Sequence, residues 1–352
     1  MRKENKMEEM QTQNKRQRLE WLDVLRCIAM YLVVIGHATK GGKPDSYRYY
    51  IYSFHMPLFF LISGAAYYLQ TKSRKFDFVG IVKNKAKALV WPYFTLNFFA
   101  FWIWILNFRI LSYKDVSIAK TIYAIFYSHQ HHVSAVSNAT WFLLTLFLTT
   151  IAFYILQMWS KNDEHILTLI VLVIGAYGYM MSLREKKFYS PWHLETVPIA
   201  LVLFLMGYLF IKHLDFFMEL LGGIRRQVMV CVLCFAGAFC CARYNVKISM
   251  AVNTYGSFML FMGAVVGFSM VCLLISMWIP KFRIMKFIGR NTIVFLAFHA
   301  PVFRFMGVYS ETTKLLLQEY PVLVGTAVFI LMIPVAWIFD RYLPFLLGRK
   351  KK

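Results

Sequence analysis

Asp23, Arg26 and His37 stand inside one apolar stretch, EWLDVLRCIAMYLVVIGHA (20–38), which is about long enough to cross a bilayer. In a helix, the eleven residues from Arg26 to His37 turn through about 1100° and rise roughly 16 Å, so both side chains leave from nearly the same side. Asp23, three residues before Arg26, shares that face. Such a helix presents a cation near one end and an imidazole near the other. That layout serves a ligand whose anionic part is held at one membrane face and whose reactive part lies near the other, where an imidazole can move a proton at neutral pH. Ionisable groups within a span are costly enough to point to function. A plainer reading stands beside this one: Asp23 and Arg26 pair at the interface, and His37 is an interfacial polar residue.

Other residue types with chemical potential recur along the chain. His55 opens the stretch SFHMPLFFLISG (53–64), close to the end of the first helix because the connection is short; it either supports His37 or anchors at the interface. Ser63 and Gly64 supply a small face suited to close helix packing, and Pro57 suits a first helical turn. Lys83, Lys85 and Lys87 crowd the mouth of the third helix, either as a positive-inside anchor or as point charges for the phosphates of an anionic cofactor. Asn138 and Trp141 mark an outer interface. Further on, SPWHLETVP places His193 and Glu195 at an outer helix end, where a carboxylate can orient an imidazole, and GRNTIVFLAFHAPVFRF buries His299 ahead of Arg304. The run Ser128-His129-Gln130-His131-His132 is weak evidence for a metal, and Asp340-Arg341 reads as an interfacial pair.

The elements that must position these residues follow from composition. Of 352 residues, 59% are hydrophobic and only 16% charged, far more apolar surface than a soluble domain needs; the chain is an all-α polytopic membrane protein. Ten stretches, about 21–39, 50–69, 88–106, 139–159, 165–183, 194–211, 227–242, 255–278, 291–309 and 322–344, have spanning length. The net charge of +22 lies in short connections between them, which reads as topology and argues against nucleic acid. With the N-terminus inside, inner segments carry 24 of the 39 Lys and Arg and outer ones 12, so both termini are expected in the cytoplasm. Residues 1–19 form a polar, basic tail expected to be disordered, 20–345 one membrane domain, and 346–352 a second basic tail. All six cysteines fall in apolar stretches with no zinc or disulfide spacing, so neither a metal nor a disulfide is assigned.

In order along the chain, Arg26 with His37, SFHMPLFFLISG, a basic stretch into Pro92-Tyr93, the start Trp141-Phe142-Leu143 and GRNTIVFLAFH ending at His299 resemble the membrane-bound acyltransferase family 3, and within it the fucose 4-O-acetylase-like branch. The resemblance covers about residues 20–345. It implies ten helices in a cell membrane, cytoplasmic acetyl-CoA or another acyl-CoA as donor, and acyl transfer to a hydroxyl of an extracytoplasmic or lipid-linked glycan. It also implies that Arg26 and His37 are the family's arginine and histidine, with His37 catalytic. One departure is visible. The family pairs arginines before its proline, whereas this chain reads KNKAKALVWP, with Ala88 where the second arginine is expected, so bidentate phosphate recognition is lost there.

The resulting expectation is O-acylation across the membrane. Phosphates rest on Lys83, Lys85, Lys87 and Arg26; His37 is the base; His55, Asn138 and His299 are candidate oxyanion donors; Glu195 or His299 is an alternative base; Asn138, Trp141 and His193 are candidate acceptor contacts. A transporter or flippase of glycans or small anions is the rival. Reporter tags fused to either end should be reachable only from the cytoplasm. Access to the Lys350 end from outside intact cells would overturn the side assigned to His37.

Overall fold

A computed structural model describes residues 2–39, 46–73, 77–111, 117–128, 138–185, 189–309 and 311–350. Its helices are α1 (Arg2–His37), α2 (Tyr47–Ser73), α3 (Phe78–Lys85), α4 (Trp91–Leu111), α5 (Ile118–Tyr127), α6 (Trp141–Trp159), α7 (Glu164–Ser182) and α8 (Val197–Lys212). They continue with α9 (Leu214–Leu221), α10 (Ile224–Arg243), α11 (Phe258–Trp278), α12 (Arg283–Arg290), α13 (Thr292–Tyr309), α14 (Glu311–Glu319) and α15 (Pro321–Tyr342). No strand occurs among the described residues, and Ser249 and Thr254 form an isolated bridge. Side chains of the first nineteen residues, where disorder was expected, lie outside the described residues, as do His129, His131 and His132.

Among the described residues, six helices are long and apolar enough to cross a membrane: α6, α7, α8 with its leading turn, α10, α11 and α15. The other four stretches expected to span coincide with α1, α2, α4 and α13. Short helices that the apolar pattern did not announce, such as α9 and α12, lie between them. Exposed apolar side chains cover α7 (Leu169, Leu172, Val173) and α10 (Val228, Val232, Leu233), faces that suit hydrocarbon rather than water.

α1 occupies the middle. It packs against α2, α11, α12, α13 and α15, so everything it carries meets other helices. Beside it, two glycines set the spacing of one crossing, that of α2 with α8. A Cβ on Gly64 of α2 would lie 1.9 Å from the Phe204 carbonyl oxygen of α8, and one on Gly207 of α8 would lie 1.8 Å from the Leu61 carbonyl oxygen of α2. Backbone meets backbone there, the close approach that small residues permit between apolar helices. Ser63 is satisfied within α2, donating to Phe59 O at 2.7 Å, so Ser63-Gly64 is a packing element. A third close approach joins α12 to α1, where a Cβ on Gly289 would come within 2.0 Å of the Asp23 carbonyl oxygen.

Two details of the sequence reading change. α2 begins at Tyr47, so Pro57 lies well inside the helix rather than in its first turn. Between α3 and α4 the chain widens into a π turn, Ala86–Val90, just before Pro92. Proline has no N–H for the carbonyl four residues back, and such widened turns accommodate that mismatch.

Gly64→Ala and Gly207→Ala should each lower the melting temperature of the detergent-purified protein, by the equivalent of about 1–3 kcal/mol or more. Gly237, with nothing within 4 Å of its added Cβ, provides the control: Gly237→Ala should leave it unchanged or raised.

Candidate active site

His37 is the last residue of α1 and is only partly buried. Around it stand rings from two other helices. His299 of α13 lies edge to face with it, centroids 4.9 Å apart. Tyr52 of α2 lies 5.7 Å away on centroids and is itself 4.7 Å from His55. Arg48, one turn before Tyr52, donates to the tyrosine hydroxyl at 2.9 Å. A cavity of about 50 Å³ opens beside this group, lined by His37, Tyr52, His55, Trp141, Met250 and Leu296 among others.

Backbone contacts settle two tautomers. His55 Nδ1 is 2.8 Å from Ile51 O, and His299 Nδ1 is 2.7 Å from Phe295 O. A carbonyl oxygen only accepts, so each Nδ1 carries the proton and each Nε2 in the neutral ring is a bare lone pair. Neither neutral histidine therefore has an N–H left for a developing oxyanion, which corrects the expectation that His55 or His299 would donate one. Both are buried, at 4% and 0% exposure.

Trp141 reaches the cavity because its helix start is held from behind. Asn97, fully buried in α4, donates to Thr140 Oγ1 at 3.0 Å and so fixes the turn that leads into α6. His193 packs against Trp141 with centroids 4.9 Å apart, on a turn where Trp192 and His193 both take left-handed backbone, φ 59° and 55°. Glu195 sits in the same turn. Its Oε2 accepts from the Ser190 amide and hydroxyl, and its Oε1 is 3.6 Å from His193 Nδ1. Glu195 and His193 thus belong to each other behind Trp141 and do not line the cavity around His37. The turn does reach the wall, since Thr196 donates to Met250 O at 3.0 Å. The side chain of Asn138 lies outside the described residues.

At the other end of the apolar stretch of α1, charges from several helices converge. Arg26 donates to Asp23 Oδ1 at 2.9 Å and Arg290 of α12 to Asp23 Oδ2 at 3.0 Å. One carboxylate thus serves two guanidinium groups. Arg349, from the segment after α15, donates to Asp340 Oδ1, Asn291 Oδ1 and Arg290 O, each at 2.6 Å. Lys286 donates to Glu20 at 2.7 Å. Asp340 therefore pairs with Arg349 across a turn, and the expected neighbouring pair with Arg341 is replaced by this longer link.

The three lysines separate. Lys85 faces inward, donates to Gln70 Oε1 at 2.9 Å, and is close enough to Arg26 for the two charges to repel. Burial, and then Arg26, push its ammonium down to about 8. Lys83 and Lys87 are exposed. Positions two apart on a helix face opposite ways, so Lys85 could not share a face with both neighbours. Lys87 borders a surface hollow with Arg349. Gly348, at φ +68°, is needed there, because a Cβ would lie 2.0 Å from Lys87 O.

Sequence reasoning passed over Tyr52, Arg48, Arg290 and Arg349. Arg48 and Tyr52 fall at helical spacing before His55, a signal that appears once α2 is started at Tyr47. Arg290 stands inside the motif GRNTIVFLAFH without having been given a role, and Arg349 left no local signal.

Residues 19–341 match the acyltransferase family 3 profile, described as an acyltransferase domain. The chain belongs to this family of membrane acyltransferases. Neither a curated protein nor a solved structure gives a significant match.

The cluster around Arg26 and Lys85 should bind a polyanion such as pyrophosphate more weakly as pH rises from 7 to 9. Lys85 is charged below about 8 and loses that charge above it, so the favourable term is present at low pH and lost as pH climbs. Titration calorimetry checks this, and Lys85→Gln should flatten the dependence. An unchanged slope in that variant would remove Lys85 from the site.

Proposed function

We propose that this protein is a transmembrane O-acyltransferase of the fucose 4-O-acetylase-like branch. In this reading it takes an acyl group, acetyl in the first instance, from cytoplasmic acyl-CoA and places it on a hydroxyl of an extracytoplasmic or lipid-linked glycan. It resides in the cell membrane with ten spans and both termini in the cytoplasm.

The observation that carries the reading is the division of labour along α1. Arg26, Arg290, Lys85 and Arg349 gather at one end, and His37 with its ring neighbours stands at the other, roughly 16 Å of helix away. The cations offer guanidinium forks and an ammonium group to the donor's phosphates. Two of them are arginines that approach only in the fold, which restores the bidentate recognition that KNKAKALVWP lacks. The donor's extended arm then runs beside α1 towards the cavity.

His37 acts as the base. It takes the proton of the acceptor hydroxyl as that oxygen attacks the thioester carbonyl carbon. The C–S bond breaks, the new C–O bond forms, and the leaving thiolate recovers the proton from the imidazolium. Trp141 and Met250 wall the cavity and keep water from competing with the acceptor. The acceptor approaches past the turn that carries His193 and Trp192.

Vesicles holding the purified protein, supplied with isotopically labelled acetyl-CoA outside their cytoplasmic face and glycan at the other, should transfer label to glycan. Movement of glycan or anion without label would favour the transporter rival. His37→Ala should lower transfer by on the order of a hundredfold to ten-thousandfold, the usual loss with a general base. The variant should accumulate normally and retain donor affinity, since the phosphates bind at the opposite end. Near-normal transfer at matched membrane levels would sink the mechanism.

A further inference from the structure

His299 holds a nitrogen with no use for it inside its own helix. Its Nδ1–H is committed to Phe295 O at 2.7 Å. The remaining Nε2 is therefore an acceptor in the neutral ring. It is fully buried and has no hydrogen-bond partner among the described residues, a state that buried polar groups rarely keep unless something is meant to meet them.

The ring beside it is His37. A hydrogen bond between two imidazoles, with N···N near 3 Å, puts their centroids about 5 Å apart, and these stand at 4.9 Å. The rings are turned edge to face, at 80°, so closing the bond requires the His37 ring to turn about its own side chain. Such contacts often tighten only when the substrate is in place. Of the three histidines at this end, His55 and His299 have each committed their N–H to a backbone carbonyl. The ring N–H of His37 is the one still available to give.

We infer that His299 is a positioning residue for His37: its Nε2 accepts one ring N–H of His37 and so fixes the tautomer whose other nitrogen faces the cavity as a bare base. The inference rests on the reading of His37 as the acyl-transfer base. The imidazole of His299 here occupies the place that a carboxylate holds in many nucleophile–base–orienter arrangements. Being neutral, it orients without drawing the proton across. When His37 takes the acceptor's proton, the imidazolium has two N–H groups; one stays on His299 Nε2 and the other passes its proton to the departing thiolate. Atoms and charge balance with no further reactant. α13 is thereby tied to the end of α1 by function as well as by packing.

The test compares His299→Leu with His299→Gln, whose side-chain carbonyl oxygen can stand where Nε2 does and accept the same N–H. Both are measured at matched membrane levels and with melting temperatures recorded. His299→Leu should lower turnover at saturating acetyl-CoA and acceptor by on the order of a hundredfold, less than the loss of a carboxylate orienter, with the donor KM within about twofold of the parent. His299→Gln should recover most of that turnover. His299→Met serves as the apolar replacement if leucine prevents insertion. Full turnover in the apolar variant would overturn the proposal, and so would a folded His299→Gln protein as inactive as the apolar one, because an acceptor atom alone would then not suffice. Absence of transfer in the parent protein would instead remove the acyltransferase reading beneath it, a result visible before any variant is made.

Discussion

Hydrocarbon offers no water, so every polar group on α1 has to be satisfied by another part of the chain. That constraint organises the molecule. Asp23, Arg26 and His37 sit on a helix that meets five others, and the partners they find fix where those others lie. Asp23 draws in Arg290, and the close contact of Gly289 with the Asp23 carbonyl lets α12 come near enough for that bond to form. Arg290 and Asn291 are in turn tied to Arg349, which carries the segment after α15 back to the same end. Removing one polar residue from such a chain leaves several others without partners, and an unmatched buried group costs more than the bond it made.

The two ends of α1 use different solutions. At the Arg26 end, cations outnumber carboxylates, and the surplus positive charge is available to a ligand. Asp23 holds Arg26 and Arg290 side by side without cancelling both. Burial, and then Arg26, push the Lys85 ammonium down to about 8. At the His37 end, no carboxylate lines the cavity. Arg48 is the cation there, held on the Tyr52 hydroxyl, and the tautomers of His55 and His299 follow from hydrogen bonds to backbone carbonyls. In the proposed mechanism an anion is favoured at one end and proton movement at the other, and the helix between supplies distance.

Packing keeps these ends in register. The α2–α8 crossing at Gly64 and Gly207 is backbone on backbone, which fixes the height of α2 and with it Tyr52 and His55. Asn97, through Thr140, sets the start of α6 and places Trp141. Left-handed backbone at Trp192 and His193 is a local cost for residues that are not glycine, and it lets His193 pack behind Trp141 while Thr196 reaches the Met250 turn.

The sequence alone determined the class of protein and much of α1. Apolar stretches of spanning length, the 24 to 12 bias of cations and the 3.6-residue period were enough to expect a helical membrane bundle and to place Asp23, Arg26 and His37 on one face. The order of motifs named the family that the profile match bears out. Periodicity describes one helix at a time, however, and in a bundle whose helices are as apolar as their surroundings, composition says nothing about which helix meets which. Hence the tertiary structure alone decided that His299 stands against His37, that Glu195 turns to His193, that Arg290 and Arg349 join Arg26, and that Lys85 faces inward while Lys83 and Lys87 do not. The contacts of His299 with His37 and of Arg290 with Asp23 join segments far apart in the chain, and such partners a linear pattern does not reveal.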